Sequence, residues 1–153
     1  MYTYVIIDDE PLIRRGTKKK LEPLSHLLTC CGEASDGREG LELVRQLKPD
    51  IVILDMQMPV MDGTELLPAL SEEFPSTALI VISGFQNFDY MKQAISSKVI
   101  DYILKPFSKD EIQQTVLKTI DSLKDKEVED HHLTSMVQEK EEAFYSLDLK
   151  LLT

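Results

Sequence analysis

Apolar residues gather in short unbroken runs along the chain instead of alternating with polar ones. They are Tyr2–Ile7, a weaker Leu27–Ala34, Ile51–Leu54, Ala78–Ile82 and Val99–Leu104. Runs of this length without alternation predict strands buried on both faces. The segments between them carry apolar residues at helical spacing. Leu12 to about Leu24 reads as a helix with a basic exposed face, Arg14, Arg15 and Lys18–Lys20, ended or kinked by Pro23. Arg38–Leu47 follows the Asp36-Gly37 turn, Thr64–Phe74 is closed by Pro75, and Asn87–Ser97 is short. Ser108 with Glu111 forms a capping-box signature, and the helix it opens runs through Ile112, Val116, Ile120 and Leu123.

Five strands alternating with five helices predict an α/β fold, a parallel sheet covered by helices on both faces. Right-handed crossovers and short connections make a doubly wound sheet the simplest solution. The order 2-1-3-4-5 is adopted from flavodoxin-like sheets, for which it is a known arrangement. Residues 1–124 are expected to form this domain. Residues 125–153 are expected to be a C-terminal helical extension, because the charge run KDKEVEDHH continues the last helix with no Pro or Gly to stop it.

Composition narrows the function. The 153 residues, 42% hydrophobic and 29% charged, suit one globular domain with a real core. A formal net charge of -10 makes direct nucleic-acid binding by this chain unexpected, since phosphate contact rests on Lys and Arg. No apolar run approaches the ~20 residues of a membrane span, and MYTYVIIDDE lacks the basic start and apolar core of a secretory signal. Cys30 and Cys31 are the only cysteines. As strand neighbours they point to opposite faces, so a disulfide is not expected and a reducing cytoplasm fits.

The chemistry sits where the strands end. Asp8 and Asp9 follow the first strand, Asp55 the third, Ser83 the fourth and Lys105 the fifth. In the expected order strands 1, 3, 4 and 5 are neighbours, and open parallel sheets bind ligands outside their carboxyl ends. Crowded carboxylates repel unless a cation sits among them. Oxygen ligands supplemented by water and phosphoryl oxygens suit Mg²⁺. A cation, an ammonium and a hydroxyl around one carboxylate are what a transferring phosphoryl group requires, with the carboxylate as nucleophile forming an acyl phosphate.

The segments VIIDDEP, ILDMQMPVMDG, VISGF and DYILKPF resemble, in order and separation, the four signatures of bacterial response-regulator receiver domains in two-component signalling. The resemblance covers about Tyr2–Lys124. It implies that Asp55 is the phospho-acceptor, that Asp9 binds Mg²⁺ directly and Asp8 mainly through water, and that the Gln57 backbone carbonyl is a further ligand. It implies that Ser83 and Lys105 contact the phosphoryl oxygens, that Tyr102 is the switch aromatic, and that the Lys105-Pro106 bond is cis. The expected partner is a sensor histidine kinase. The domain is no enzyme in the ordinary sense, only self-phosphorylating from a donor with Mg²⁺ and slowly dephosphorylating. SGFQNFDYMKQAI is similar to receivers that precede AraC-type DNA-binding domains, so the expected output is transcription through a domain outside this chain. The alternative is a stand-alone receiver acting by protein–protein interaction.

Two rivals share the architecture. A flavodoxin-like electron carrier needs a hydroxyl- and Gly-rich phosphate loop where this chain has DDEP. An aspartyl-phosphate hydrolase needs a second acid where Gln57 stands. In the extension, Leu133, Val137, Phe144, Leu147 and Leu151 follow a heptad spacing of under three repeats, with Lys140 in the one gap. The expectation is a homodimer formed through this helix or through the face of the fourth helix, fifth strand and fifth helix. The chain is then the front part of a longer regulator.

Overall fold

A computed structural model of the chain describes residues 1–127; the heptad seam expected between 133 and 151 lies outside the described residues. The unit Met1–Thr119 is built on strands β1 (Tyr2–Ile7), β2 (Leu28–Ala34), β3 (Ile51–Asp55), β4 (Ala78–Ser83) and β5 (Asp101–Leu104). They form one sheet in the order β2-β1-β3-β4-β5, and all four pairings are parallel, as the sequence predicts. Helices α1 (Pro11–Leu21), α2 (Gly37–Leu47), α3 (Gly63–Glu73) and α4 (Phe88–Ser96) connect the strands. Residues 109–119 of this unit are helical and are called α5; residues 120–127, in the second unit, are helical as well.

The unbroken apolar runs are explained by burial from both sides. Every residue of β3 and β4 is buried, as are the last four of β1. On one pleat face Val5, Ile7, Val52, Leu54, Leu79 and Val81 pack with Leu41 and Val44 of α2, Leu66, Leu67 and Leu70 of α3 and Ala94 of α4. Ile6, Ile53 and Ile80 alternate to the other face, the side covered by α1 and α5 with their buried Thr17, Leu21, Ile112 and Val116. There the Gln113 amide donates to the Lys20 carbonyl at 2.9 Å, and the Lys20 ammonium lies 4.2 Å above the Phe107 ring. A fully buried Leu or Ile contributes about 1.5–3 kcal/mol, so tertiary burial rather than local propensity holds these short helices.

The boundaries differ from the sequence reading where capping geometry intervenes. α1 stops at Leu21, and Glu22–Leu24 form a 3-10 turn around Pro23, because proline cannot donate the next helical bond. β5 starts at Asp101 and not at Val99. Val99 belongs to the end of α4: its N–H bonds the Ala94 carbonyl and that of Lys98 bonds the Ile95 carbonyl. This is a Schellman closure, with Lys98 at φ 58 in the position glycine usually fills. At the starts of α2, α3 and α4, Asp36, Asp62 and Asn87 accept bonds from backbone N–H groups of the first turn.

Two glycines separate packing from permissiveness. A Cβ on Gly37, the first residue of α2, would lie 2.1 Å from the Met61 carbonyl oxygen, whereas one on Gly16 in α1 meets nothing within 4 Å. Gly37→Ala should therefore cost about 1–3 kcal/mol through a backbone clash. Gly16→Ala should add about 0.5–1 kcal/mol by removing the entropic penalty of a mid-helix glycine. Urea titration of both variants reads the two opposite signs.

Candidate functional site

The register of the sheet assembles the site. Ile7 is level with Leu54, Asp55 with Ile82, and Ser83 with Leu104. The residues at or just beyond these ends, Asp8, Asp55, Ser83 and Lys105, therefore share the carboxyl edge of four adjacent strands. β3 runs one residue further than the apolar pattern indicates and takes in Asp55 itself.

At the centre the Lys105 ammonium stands between two buried carboxylates, 3.0 Å from Asp8 Oδ2 and 3.3 Å from Asp55 Oδ2. Asp55 is only 4% exposed and Asp8 2%. The Glu10 N–H donates to Asp8 Oδ1 at 2.9 Å and the Gln57 N–H to Asp55 Oδ1 at 3.5 Å. Arg14 Nη1 donates to the Asp8 carbonyl, fixing the start of the β1–α1 loop against α1. The Lys105-Pro106 bond is cis, as expected.

One lysine does not balance this edge. Burial, then the Asp8 charge, pushes the Asp55 carboxyl up to about 6, although Lys105 pulls it back. Burial also raises Asp8 against its hydrogen bonds to the Glu10 N–H and to Lys105. For Lys105, burial works against the ammonium but its contacts with Asp8 and Asp55 outweigh that, and its pKa is raised. The carboxylates of Asp8, Asp9, Glu10 and Asp55 bring oxygens within 4.8 Å of one another. An all-oxygen, net-negative donor set fits a hard divalent cation such as Mg²⁺.

Asp9, unlike Asp8, is exposed at the rim. Glu10, with Oε1 3.8 Å from Lys105 Nζ, was passed over in the sequence reading, although its place directly after Asp8-Asp9 was a signal for it. The structure brings Gln57 to Asp55 through its N–H. Ser83 is fully buried, and its Oγ accepts the Phe85 N–H at 3.1 Å. The Tyr102 hydroxyl donates to the Phe85 carbonyl at 2.8 Å; partial burial raises its pKa. Both switch candidates thus hold the backbone of the same residue in the β4–α4 loop.

The β3–α3 loop carries a strained turn that the sequence does not announce. The Met61 N–H bonds the Pro59 carbonyl two residues back at 2.8 Å, with Val60 between them at φ 70. This is a γ-turn of the rare kind, with its central residue at positive φ. A β-branched side chain there costs about 1–3 kcal/mol. The turn presents the Met61 carbonyl to the Gly37 N–H at 3.1 Å, joining the loop to α2.

Ionising Asp55 works against the fold. The penalty is absent below its ordinary 3.8, grows toward about pH 6 and is complete above that. In the absence of divalent metal, Asp55→Asn should stabilise the protein at pH 7.5 by about 1–3 kcal/mol. The gain should vanish below pH 4. Denaturant unfolding at both pH values checks this, and a pH-independent difference would contradict it.

Comparison with known proteins identifies the family and the fold. The response regulator receiver domain family matches residues 4–117. The uncharacterized transcriptional regulatory protein YesN of Bacillus subtilis is 38% identical over 128 residues, 84% of this chain and 35% of its own length. The transcriptional regulatory protein HptR of Staphylococcus aureus is 37% identical over 106 residues, 69% of this chain and 41% of HptR. The chain thus spans well under half the length of these curated relatives. The REC domain of AraT, a response regulator from Geobacillus stearothermophilus, superposes with a TM-score of 0.77 at 33% identity, covering 82% of this chain and 98% of that domain. By family match, fold and the residues at its strand ends, the chain belongs to the response regulator receiver domains, a signalling family.

Proposed function

We propose that this receiver takes a phosphoryl group on Asp55 from the phosphohistidine of a sensor kinase, or from a small acyl phosphate, and converts it into a change of surface. The observation that carries the proposal is the buried Asp55 carboxylate, held by Lys105 beside Asp8 at the sheet edge. The donor nitrogen–phosphorus bond breaks as an Asp55 oxygen bonds phosphorus, and the electron pair stays on the imidazole, which takes up a proton. Asp8, Asp9 and Asp55, with the Gln57 carbonyl, would hold Mg²⁺. When bound, the ion supplies charge neutralisation for the phosphoryl oxygens. Lys105 holds its ammonium at the Asp55 oxygen that faces it, and Ser83 offers a hydroxyl from the next strand.

The response begins at Phe85. Ser83 leaving the Phe85 N–H for a phosphoryl oxygen unfastens one of two bonds on that residue, and Tyr102 holds the other. Tyr102, already half-buried against the core beside Ser83, then turns further inward, and the face of α4, β5 and α5 changes. That face carries Phe88, Met91 and Ile95 of α4 and Leu104 of β5, all solvent-exposed; α4 spaces its three as one stripe. A homodimer would form on this face or through residues 125–153, the segment we assign as a linker after a receiver at 1–124. Because the relatives are transcriptional regulators more than twice as long as the matched region, the output is transcription through a DNA-binding domain outside this chain. The acidic receiver itself does not contact DNA. Among the described residues no helix is long and apolar enough to cross a membrane; the place of action proposed here is the cytoplasm, where the phosphohistidine of a sensor kinase would be met.

Incubation with Mg²⁺ and acetyl phosphate should add one phosphoryl group, read by intact mass. Asp55→Asn should add none, since the amide keeps the shape without the anionic nucleophile. An equal gain in the variant would contradict Asp55 as acceptor. Asp9→Ala should weaken Mg²⁺ binding by tenfold or more, on the order of 1.4 kcal/mol. Titration calorimetry with the metal alone measures it, and unchanged affinity would put the ion elsewhere.

A further inference from the structure

The basic residues of α1, read from the sequence as one exposed face, do not act alike. Lys20 turns to the Phe107 carbonyl at 3.0 Å, and Lys18 pairs with Glu33 of β2 at 2.7 Å. Arg14 reaches back over the first turn of its helix and donates from Nη1 to the Asp8 carbonyl. Its Nε lies 3.3 Å from Glu33 Oε1, and only 18% of its side chain is exposed. Ordering so long a side chain costs rotamer freedom, and here it is ordered against the backbone of the acidic loop.

The carbonyl that Arg14 holds belongs to the peptide plane joining Asp8 to Asp9. Before that plane, the Asp8 N–H is fixed to the Ala34 carbonyl at 3.0 Å. After it, the Glu10 carbonyl accepts from the N–H groups of Ile13 and Arg14 at 3.1 and 3.2 Å. Between these anchors stands Asp9, exposed at the rim, with its carboxylate in the acidic cluster. A rotation of the plane would swing Asp9 away while leaving Asp8 in the sheet edge, and Arg14 supplies a side-chain contact against it. The placement has an electrostatic cost, because a guanidinium this near the acids repels an entering cation. Glu33 pairs with Arg14 Nε and offsets that charge.

We infer that Arg14 is a positioning residue for the cation site: by holding the Asp8–Asp9 peptide it directs the Asp9 carboxylate to the cluster, while Glu33 offsets its charge. This rests on the reading of the acidic edge as a Mg²⁺ site and deepens it with a residue that is itself no ligand. The two effects of Arg14 have opposite signs. Removing its charge alone would strengthen cation binding, whereas releasing the peptide would weaken it.

The test measures cation affinity on the full chain, without phosphodonor. The probe is Mn²⁺ alone, a hard divalent ion that also takes octahedral oxygen ligands, with the free ion counted by its electron paramagnetic resonance signal. Arg14→Met keeps an unbranched stem without charge or donor and should bind about fivefold more weakly than wild type. Arg14→Lys keeps the charge but not the planar fork, so it cannot serve the Asp8 carbonyl and Glu33 together. It should bind about two- to threefold more weakly. In an Asp9→Ala background neither change should weaken binding further, because the carboxylate that Arg14 directs is gone. Urea unfolding checks that each variant is folded; should Arg14→Met not fold, Arg14→Lys carries the comparison in both backgrounds. Unchanged or tighter binding in Arg14→Met, or unchanged binding in Arg14→Lys, would overturn the inference, since charge alone predicts both. An equal fall with and without Asp9 would also overturn it, by marking a general loosening of the fold. A wild-type chain that binds no Mn²⁺, or an Asp9→Ala chain that binds it as tightly as wild type, would instead overturn the cation reading itself.

Discussion

One lysine held between two buried carboxylates sets the terms for the rest of the molecule. Asp8 and Asp55 reach the same level because β1 and β3 pair in register, and the long Lys105 side chain, from the end of β5, reaches both across the end of β4. Burying charge is costly unless it is paired and hydrogen-bonded. Here pairing is incomplete, with Asp9 and Glu10 adding further acid at the rim. The metal-free state therefore carries a deficit of positive charge at the place where a cation and a phosphoryl group would be received. Stability is given up at the strand ends and recovered in the two apolar layers behind them.

The same edge connects chemistry to surface through a short path. Phe85 is held at its N–H by Ser83 and at its carbonyl by Tyr102. In the proposed switch a demand on the Ser83 hydroxyl would reach Tyr102 on the next strand through this one residue. α4 begins three residues after Phe85, so a shift in this loop moves the start of the helix that bears the exposed Phe88. Two hydrogen bonds on one residue make a latch, and the switch we propose is the release of one of them.

Much of this was legible in the sequence because burial on both faces leaves unbroken apolar runs, and each run ends where a charged or hydroxyl residue follows. The sheet order was not derivable from periodicity and came from a known arrangement. What escaped was conformation without a compositional mark. Val99 looks like strand, but it closes α4 through a left-handed residue that is lysine instead of glycine. Val60 gives no turn signal for the same reason. Glu10 was overlooked because a long, exposed side chain next to two aspartates reads as solvated until its distance to Lys105 is known.

The central claim is that Asp55, and no neighbouring acid, becomes the acyl phosphate. Borohydride reduction settles this at the level of the residue: it converts an acyl phosphate to the alcohol and releases phosphate. After treatment with Mg²⁺ and acetyl phosphate, then borohydride and proteolysis, peptide mass spectrometry should find homoserine at position 55, with Asp8 and Asp9 intact. Homoserine at 8 or 9, or an unreduced Asp55 in a protein that has gained phosphate, would contradict the account.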